Sequence, residues 1–133
     1  MKRLAVFLLL VAVLTVAGCG KPGGAAPPVT VTRTAGLSAT LWIAPNPPVP
    51  MQEVTLQLTI RDAQGQPVLG ATVQLDLTMP GMQMPTNQPQ VMEVGNGVYQ
   101  ARAILTMAGE WQVRADVTHA GERQEFTFPL RTK

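Results

Sequence analysis

The chain is poor in the side chains on which most enzymes depend. Its 133 residues contain one Cys and one His, which are Cys19 and His119, and the only Ser is Ser38. A zinc site built from Cys and His cannot be assembled from this stock. A Ser/His/Asp triad would require the only Ser to meet the only His. We therefore predict a protein that is not an enzyme.

Charged and aromatic residues are also sparse. They make up 14% and 5% of the chain, whereas 46% of the residues are hydrophobic and Gly and Pro contribute 12 each. A chain of this length fits one domain and can bury a core. The many Gly and Pro residues favour short elements joined by turns and disfavour long helices.

The N-terminus has the pattern of a bacterial lipoprotein signal. A basic pair precedes an almost uninterrupted apolar run over 4–16, which is too short for a membrane span of about 20 residues. The run ends in Val16-Ala17-Gly18-Cys19, which resembles the lipobox, where a peptidase cuts before the Cys and a diacylglycerol is attached to its sulfur. The alternative is an ordinary signal peptide or a short anchor with a chance Cys. We predict a signal peptide over 1–18 and lipidation of Cys19, which anchors the protein outside the cytoplasm to the cell membrane or the outer membrane.

Cleavage before Cys19 changes the charge balance. The full chain has 10 Lys and Arg against 8 Asp and Glu, and the loss of Lys2 and Arg3 leaves 8 against 8. No cluster of Lys and Arg remains, so the usual electrostatic basis for nucleic-acid binding is absent. Since the only Cys is used for lipidation, the mature chain has no thiol for a disulfide, and its core must be held by packing.

The mature chain divides into a tether and a β-domain. Residues 19–36 comprise the lipidated Cys and a segment rich in Gly, Ala, Pro and Thr, which we predict to be a flexible tether. Over 37–133, apolar and polar residues alternate with period two between turn signals such as Gly95-Asn96-Gly97. This pattern predicts an all-β fold, an immunoglobulin-like antiparallel β-sandwich of about seven strands. The strands are predicted at 37–43, 53–61, 71–79, 90–94, 98–106, 111–118 and 123–130.

Methionine is the one unusual chemical feature of the mature chain. Of the 7 Met, 6 remain after the removal of Met1, and three of them lie in Met79-Pro80-Gly81-Met82-Gln83-Met84. Pro80-Gly81 suits the centre of a type II turn, which brings Met79 close to Met82. An extended continuation points Met82 and Met84 to the same side. Thioether sulfur is a soft, neutral ligand that prefers Cu(I), so these side chains are candidate ligands. The alternatives are core filling by Met and a hydrophobic docking surface.

The strand order extends this candidate site. Successive loops of a sandwich alternate between its two ends, so three loops that carry Met are expected at one end. Met92 is expected close to that end, whereas His119 is expected at the opposite end, which argues against His119 as a further ligand. The predicted Cu(I) ligands are Met79, Met82 and Met84, with Met51 and Met107 as additional candidates.

Three segments of the chain carry a family resemblance. They are Met79-Pro80-Gly81-Met82-Gln83-Met84, Gly95-Asn96-Gly97-Val98-Tyr99 and Ala108-Gly109-Glu110-Trp111-Gln112-Val113. In this order they resemble the YtkA-like domain family, which is related to FixH-type proteins and resembles modules attached to heavy-metal efflux adaptors. The resemblance covers residues 37–130. It implies an extracytoplasmic β-sandwich associated with copper handling or respiratory-oxidase assembly, without established catalytic residues. The implied partner is an envelope protein such as a metal-efflux or respiratory-oxidase component.

Two functions of different classes are therefore open. The first is a membrane-anchored lipoprotein that binds or transfers Cu(I) through Met sulfur. The second is a non-catalytic interaction module of the cell envelope that presents a loop surface to a protein partner and binds no metal. Retention of metal with and without the Met side chains distinguishes the two.

Overall fold

The computed structural model describes residues 30–34 and 36–133. The predicted signal peptide over 1–18 and the predicted lipidation site Cys19 lie outside the described residues. Within the described part of the chain, no helix is long and apolar enough to cross a membrane.

The described residues form eight β-strands, so the all-β prediction is confirmed. Most strands begin and end within two residues of the predicted positions, because the period-two alternation marks them directly. The strands are β1 (Thr30–Thr34), β2 (Leu37–Ala44), β3 (Glu53–Arg61), β4 (Thr72–Thr78), β5 (Val91–Gly95), β6 (Val98–Ile104), β7 (Gly109–His119) and β8 (Glu122–Thr132).

The strands form two antiparallel sheets that pack as an immunoglobulin-like sandwich. Sheet A has the order β1-β2-β3-β6-β5, and sheet B has the order β4-β7-β8. The inner faces of both sheets supply the core, whose largest side chains include Trp111, Tyr99, Phe126 and Phe128. Burial of these faces is the main stabilising contribution, since a chain with one Cys cannot form a disulfide within itself.

The first strand corrects the prediction for the tether. Residues 30–34 were expected to belong to the tether over 19–36, but they form β1, which pairs with β2 from Thr30 opposite Leu41 to Thr34 opposite Leu37. The segment alternates Thr and Val, and β-branched residues favour extended backbone when a sheet edge offers hydrogen bonds. The sandwich therefore includes β1, which precedes the predicted boundary at Leu37, and has one strand more than predicted.

Three loops meet at one end of the sandwich, which we call the Met pole. They are the β2–β3 loop (45–52), the β4–β5 loop (79–90) and the β6–β7 loop (105–108). The strand registers place them together, because Glu53 pairs with Ile104 in sheet A and Thr78 pairs with Gln112 in sheet B. The turns at 62–66, 96–97 and 120–121 lie at the other end, which we call the turn end. The predicted alternation of loops is therefore confirmed.

Candidate functional site

The β4–β5 loop begins with the predicted tight turn. Gly81 has a φ of +80°, and the N–H of Met82 donates to the carbonyl of Met79 at 3.2 Å. Pro80 fixes the first central position and Gly81 adopts the left-handed second position, as a type II turn requires. The turn reverses the chain directly after β4, so Met82 lies at the tip of the Met pole.

Met79 is committed to the core. Its side chain is only 9% exposed, and a Cβ added to Gly109 would lie 2.9 Å from the Met79 methyl group. The methyl group therefore occupies the space that a side chain at position 109 would otherwise need. The Gly of the third family segment is explained by this contact with the first segment, and Met79 acts as packing.

Met84 is also occupied within its own loop. It is half-buried against the core, and its sulfur accepts a hydrogen bond from the N–H of Met79 at 3.3 Å. A thioether is a weak acceptor, but this contact folds the loop back on β4. Asn87 closes the loop, since its carbonyl accepts from the N–H of Leu77 at 2.9 Å and its side chain donates to the carbonyl of Ile104 at 3.2 Å.

Three other Met side chains are accessible, each on a different loop of the Met pole. Met51 is 70% exposed, Met82 is 52% exposed and Met107 is 37% exposed. Of the predicted trio Met79, Met82 and Met84, only Met82 is freely available to a ligand. The additional candidates Met51 and Met107 are thus more accessible than Met79 and Met84.

Two contacts join the three loops on either side of Met107. The N–H of Met51 donates to the carbonyl of Leu105 at 2.8 Å, two residues before Met107. The Met79 methyl group packs at Gly109, two residues after it. Met107 therefore lies between the loops that carry Met51 and Met82, and the flexible thioethers extend from a common base.

The backbone of Met107 is held in place by two donors. Its carbonyl accepts from the Trp111 Nε1–H at 3.0 Å and from the Thr132 hydroxyl at 3.1 Å. Trp111 is buried, so the indole fixes the loop from below. The hydrogen bond from Trp111 to a loop four residues earlier is not recognisable from the period-two alternation.

Two other positions lie away from the pole. Met92 is exposed on the outer face of sheet A, where it pairs with Gln100 in the middle of β6. The expectation that Met92 lies close to the Met pole is therefore wrong. Its side chain points away from the core, and its partner Gln100 lies in the middle of β6, so Met92 stays on the face of the sheet. His119 pairs with Glu122 at the turn end, as expected, and is remote from the exposed thioethers.

The charged side chains near the Met pole offer little for binding a metal ion. Among the described residues, no group of three or more His, Cys, Asp or Glu could hold a metal ion. The ion pair between Arg102 and Glu53 spans 3.7 Å, and both side chains are exposed, so it contributes little. The exposed thioethers are soft, neutral donors, and such donors suit a soft monovalent ion.

A shallow groove, which no sequence pattern predicts, lies beside the Met pole on sheet B. Its volume is about 400 Å³. Outward-facing side chains of β7 and β8 form its floor, and Pro80 of the β4–β5 loop forms one wall. The groove is lined by Pro80, Glu110, Gln112, Thr127, Pro129 and Arg131, among others.

Comparison with protein families identifies the domain. The YtkA-like family matches residues 35–116, which is well over half of the chain. The chain belongs to the YtkA-like family. The resemblance inferred from the three sequence segments is therefore confirmed at the level of the family.

Comparison with solved structures supports the fold. A DUF4426 family protein from Pseudomonas aeruginosa PAO1 has a TM-score of 0.58 and 16% identity, over 78% of this chain and 96% of the other. The Lin-41 filamin domain has a TM-score of 0.47 and 15% identity, over 70% of this chain and 93% of the other. No curated protein sequence matches the chain significantly. At 16% identity, the similarity to the DUF4426 family protein shows a shared β-sandwich and no more.

The second family segment has a structural explanation. A Cβ at Gly97 would lie 2.6 Å from the carbonyl oxygen of Ile60, and the carbonyl of Gly97 accepts from the N–H of Ile60 at 2.8 Å. The Tyr99 hydroxyl donates to the carbonyl of Val68 at 2.9 Å and accepts from the N–H of Ala71 at 3.1 Å. This segment of the YtkA-like domain holds the β3–β4 connection against sheet A and does not supply site residues.

Proposed function

We propose that this protein is a non-catalytic, extracytoplasmic lipoprotein whose YtkA-like domain binds and transfers Cu(I) at the Met pole. Cys19 carries the lipid that holds it to the membrane. The ligands are the exposed thioethers of Met51, Met82 and Met107. The observation that carries the proposal is that these three side chains, from three loops joined at the base, are accessible at one pole.

The chemistry of the site favours exchange over storage. Thioether ligands are neutral, so they leave the charge of the metal uncompensated, and the affinity is modest and selective for the soft ion. The exposed sulfurs lie at loop tips and release the ion without unfolding of the core. Met79 and Met84 support the site by fixing the β4–β5 loop from below.

Binding at this pole is expected to be insensitive to mild acid. Metal affinity falls with pH where ligands must lose a proton, as for Cys and His. Thioethers carry no proton near neutral pH, so Cu(I) affinity is expected to be nearly the same at pH 5 and pH 7. A steep fall over this range would indicate a ligand other than Met.

The test is a Cu(I) titration against a competing chelator under reducing conditions. The combined variant Met51→Leu, Met82→Leu and Met107→Leu keeps volume and apolarity, so its unfolding midpoint should change little. Its Cu(I) affinity is expected to be at least about tenfold lower than that of the wild type, a difference of about 1.4 kcal/mol. The matched control is Met92→Leu, which removes an equally exposed thioether from the sheet face and should bind like the wild type. Equal affinity in all three proteins, or no binding by the wild type, would contradict the proposal.

The lipid anchor has its own test. Cys19→Ala removes the only thiol, so the variant is expected to carry no lipid and to be released or mislocalised. Mass analysis of the wild type from membranes is expected to show a diacylated Cys19 at the mature N-terminus. An unmodified Cys19 in membrane-bound protein would contradict this part of the proposal.

The groove beside the Met pole favours a second candidate, an envelope interaction module that binds no metal. Its partner would be an envelope protein such as a metal-efflux or respiratory-oxidase component. The substitution Thr127→Arg places a bulky charged side chain on the floor of the groove. It is expected to abolish cross-linking to that partner and to leave the result of the Cu(I) titration unchanged. Unaltered cross-linking would contradict this candidate.

A further inference from the structure

The direction of β1 determines the side on which the chain enters the sandwich. β1 is antiparallel to β2, with Thr30 opposite Leu41 and Thr34 opposite Leu37. β2 runs towards the Met pole and ends at Ala44. Thr30 is therefore the end of β1 nearer the Met pole, and the chain enters β1 from that side.

The distance from the predicted lipid anchor is short. The chain advances 11 residues from Cys19 to Thr30, which span at most about 40 Å when fully extended. Leu41 lies three residues from the end of β2, a rise of about 10 Å. Leu37, at the turn end of β2, lies four residues from Leu41, a rise of about 13 Å. Thr30 is therefore slightly nearer the Met pole, both ends are within reach of the anchor, and the distribution of apolar side chains decides which end faces the membrane.

Exposed apolar side chains are concentrated at the same pole. Five of the eight large exposed hydrophobic residues lie there, on its three loops or at the adjacent end of β6; they are Val49, Met51, Met82, Ile104 and Met107. Of the other three, Met92 lies on the outer face of sheet A, and Leu69 and Val94 lie near the turn end. A concentration of exposed apolar side chains at one end is typical of a surface that contacts a protein or a membrane.

We propose that the Met pole rests on the surface of the bilayer that holds the Cys19 lipid, with Val49, Ile104 and the exposed thioethers at the lipid–water interface. This inference rests on the lipidation part of the proposed function. The tether keeps the pole at a high effective concentration near the bilayer, so a weak apolar contact is sufficient. The mature chain has equal numbers of acidic and basic residues, so the contact depends on apolar insertion and not on attraction to anionic headgroups. Cu(I) then exchanges at the membrane face of the domain.

The experiment measures how deeply two labelled positions of the domain lie in the bilayer. The lipidated protein carries no free thiol, so Met82→Cys or Leu69→Cys introduces a unique site for an environment-sensitive fluorophore. Both side chains are exposed in the structure, which protects folding. Each labelled protein is reconstituted in vesicles of phosphatidylethanolamine and phosphatidylglycerol, with a metal chelator present and a quencher attached to the acyl chains.

We expect the label at position 82 to shift to shorter wavelength and to be quenched by the lipid-bound quencher. The label at position 69 should behave as in water. Adding Ile104→Asp to the protein with the Met82→Cys label is expected to reduce the quenching by at least half. Equal behaviour of the two labels, or a label at position 82 that remains in water, would overturn the inference, and the second result would favour a protein partner at the pole.

The outcomes separate this inference from copper binding. The labelling is carried out without metal, so quenching at position 82 supports the orientation even if the wild type fails to bind Cu(I) in the titration. Conversely, Cu(I) binding with an unquenched label leaves the copper proposal intact and overturns the orientation. Absence of a lipid on Cys19 in membrane-derived protein would also overturn the orientation.

Discussion

The two ends of the sandwich are constructed differently. At the turn end, short polar turns satisfy their own backbone: the carboxylate of Asp62 accepts from the N–H groups of Gln64 and Gln66, each at 2.9 Å. Asn96 and Ala120 adopt positive φ there, which closes the hairpins tightly. At the Met pole, longer loops rich in Pro and Met expose thioethers and aliphatic side chains to solvent.

The difference shows which methionines the fold requires. Met79 and Met84 have defined structural contacts, with the space at Gly109 and with the N–H of Met79 respectively. Met51, Met82 and Met107 expose their side chains, and exposed apolar groups lower solubility without stabilising the core. The turn end closes its hairpins at 96–97 and 120–121 without exposed Met side chains. The exposed thioethers are therefore better explained by function than by stability.

The largest expected effect tests the turn end. Gly97→Ala would place a Cβ 2.6 Å from the carbonyl oxygen of Ile60 at a φ of +72°, so we expect the free energy of unfolding to fall by about 3 kcal/mol. The matched control is Gly65→Ala, which has a similar φ of +78° but no atom within 4 Å, and should cost about 1 kcal/mol. Urea unfolding of both variants measures the difference. Equal losses would show that backbone conformation alone, and not close packing, requires Gly97.

The next effect separates structural from accessible methionines within one loop. Met79→Ala removes a buried side chain and leaves a cavity beside Gly109, with an expected cost of about 2.5 kcal/mol. Met82→Ala removes an exposed side chain and should cost less than about 0.5 kcal/mol. Thermal unfolding at equal protein concentration compares the two. Similar costs would contradict the division between the supporting and the accessible Met.

A third prediction concerns pH at the turn end. Burial, with a smaller contribution from Glu93, raises the pKa of Tyr99 above its ordinary 10.0, and the hydrogen bond from Ala71 opposes this. The folded state therefore retains the proton more strongly than the unfolded chain. The resulting stability is fully present below pH 10 and is lost as the pH rises through the higher pKa of the folded protein.

Tyr99→Phe removes both hydrogen bonds of the hydroxyl and leaves the carbonyl of Val68 without this donor. We expect a loss of about 2 kcal/mol at neutral pH and a flatter decline in stability above pH 10. Denaturant unfolding from pH 7 to 11 measures both effects. Parallel pH profiles for the wild type and the variant would show that another group controls the alkaline decline.

The smallest effect is expected at the only His. Because His119 lies at the turn end, opposite the exposed thioethers, His119→Ala should change neither Cu(I) affinity nor its pH dependence. The competition titration at pH 5 and pH 7 tests this. A weaker affinity in the variant would place a ligand at the wrong end of the molecule and contradict the loop assignment.

Much of the fold was predictable from the sequence, because alternation over segments such as 53–61 records directly which side chains face the core. β1 was missed because Thr and Val alternation in a Pro- and Gly-rich context forms a strand only when the edge of β2 is present. Whether each Met side chain is buried or exposed was harder to predict from the sequence. Met79 is buried with its methyl group next to Gly109, 30 residues later in the chain, a contact that the alternation of residues does not record. The hydrogen bond to the sulfur of Met84 depends on how the loop folds back, which no spacing rule specifies.

The central claim is that the accessible thioethers, and not the buried ones, bind Cu(I). Nuclear magnetic resonance of protein labelled with ¹³C in the Met methyl groups follows each mature Met separately during a Cu(I) titration. The account predicts that the methyl signals of Met51, Met82 and Met107 shift together, while those of Met79 and Met92 remain in place. Shifts of Met79 ahead of the others, equal shifts of Met92, or no shifts at all would contradict it.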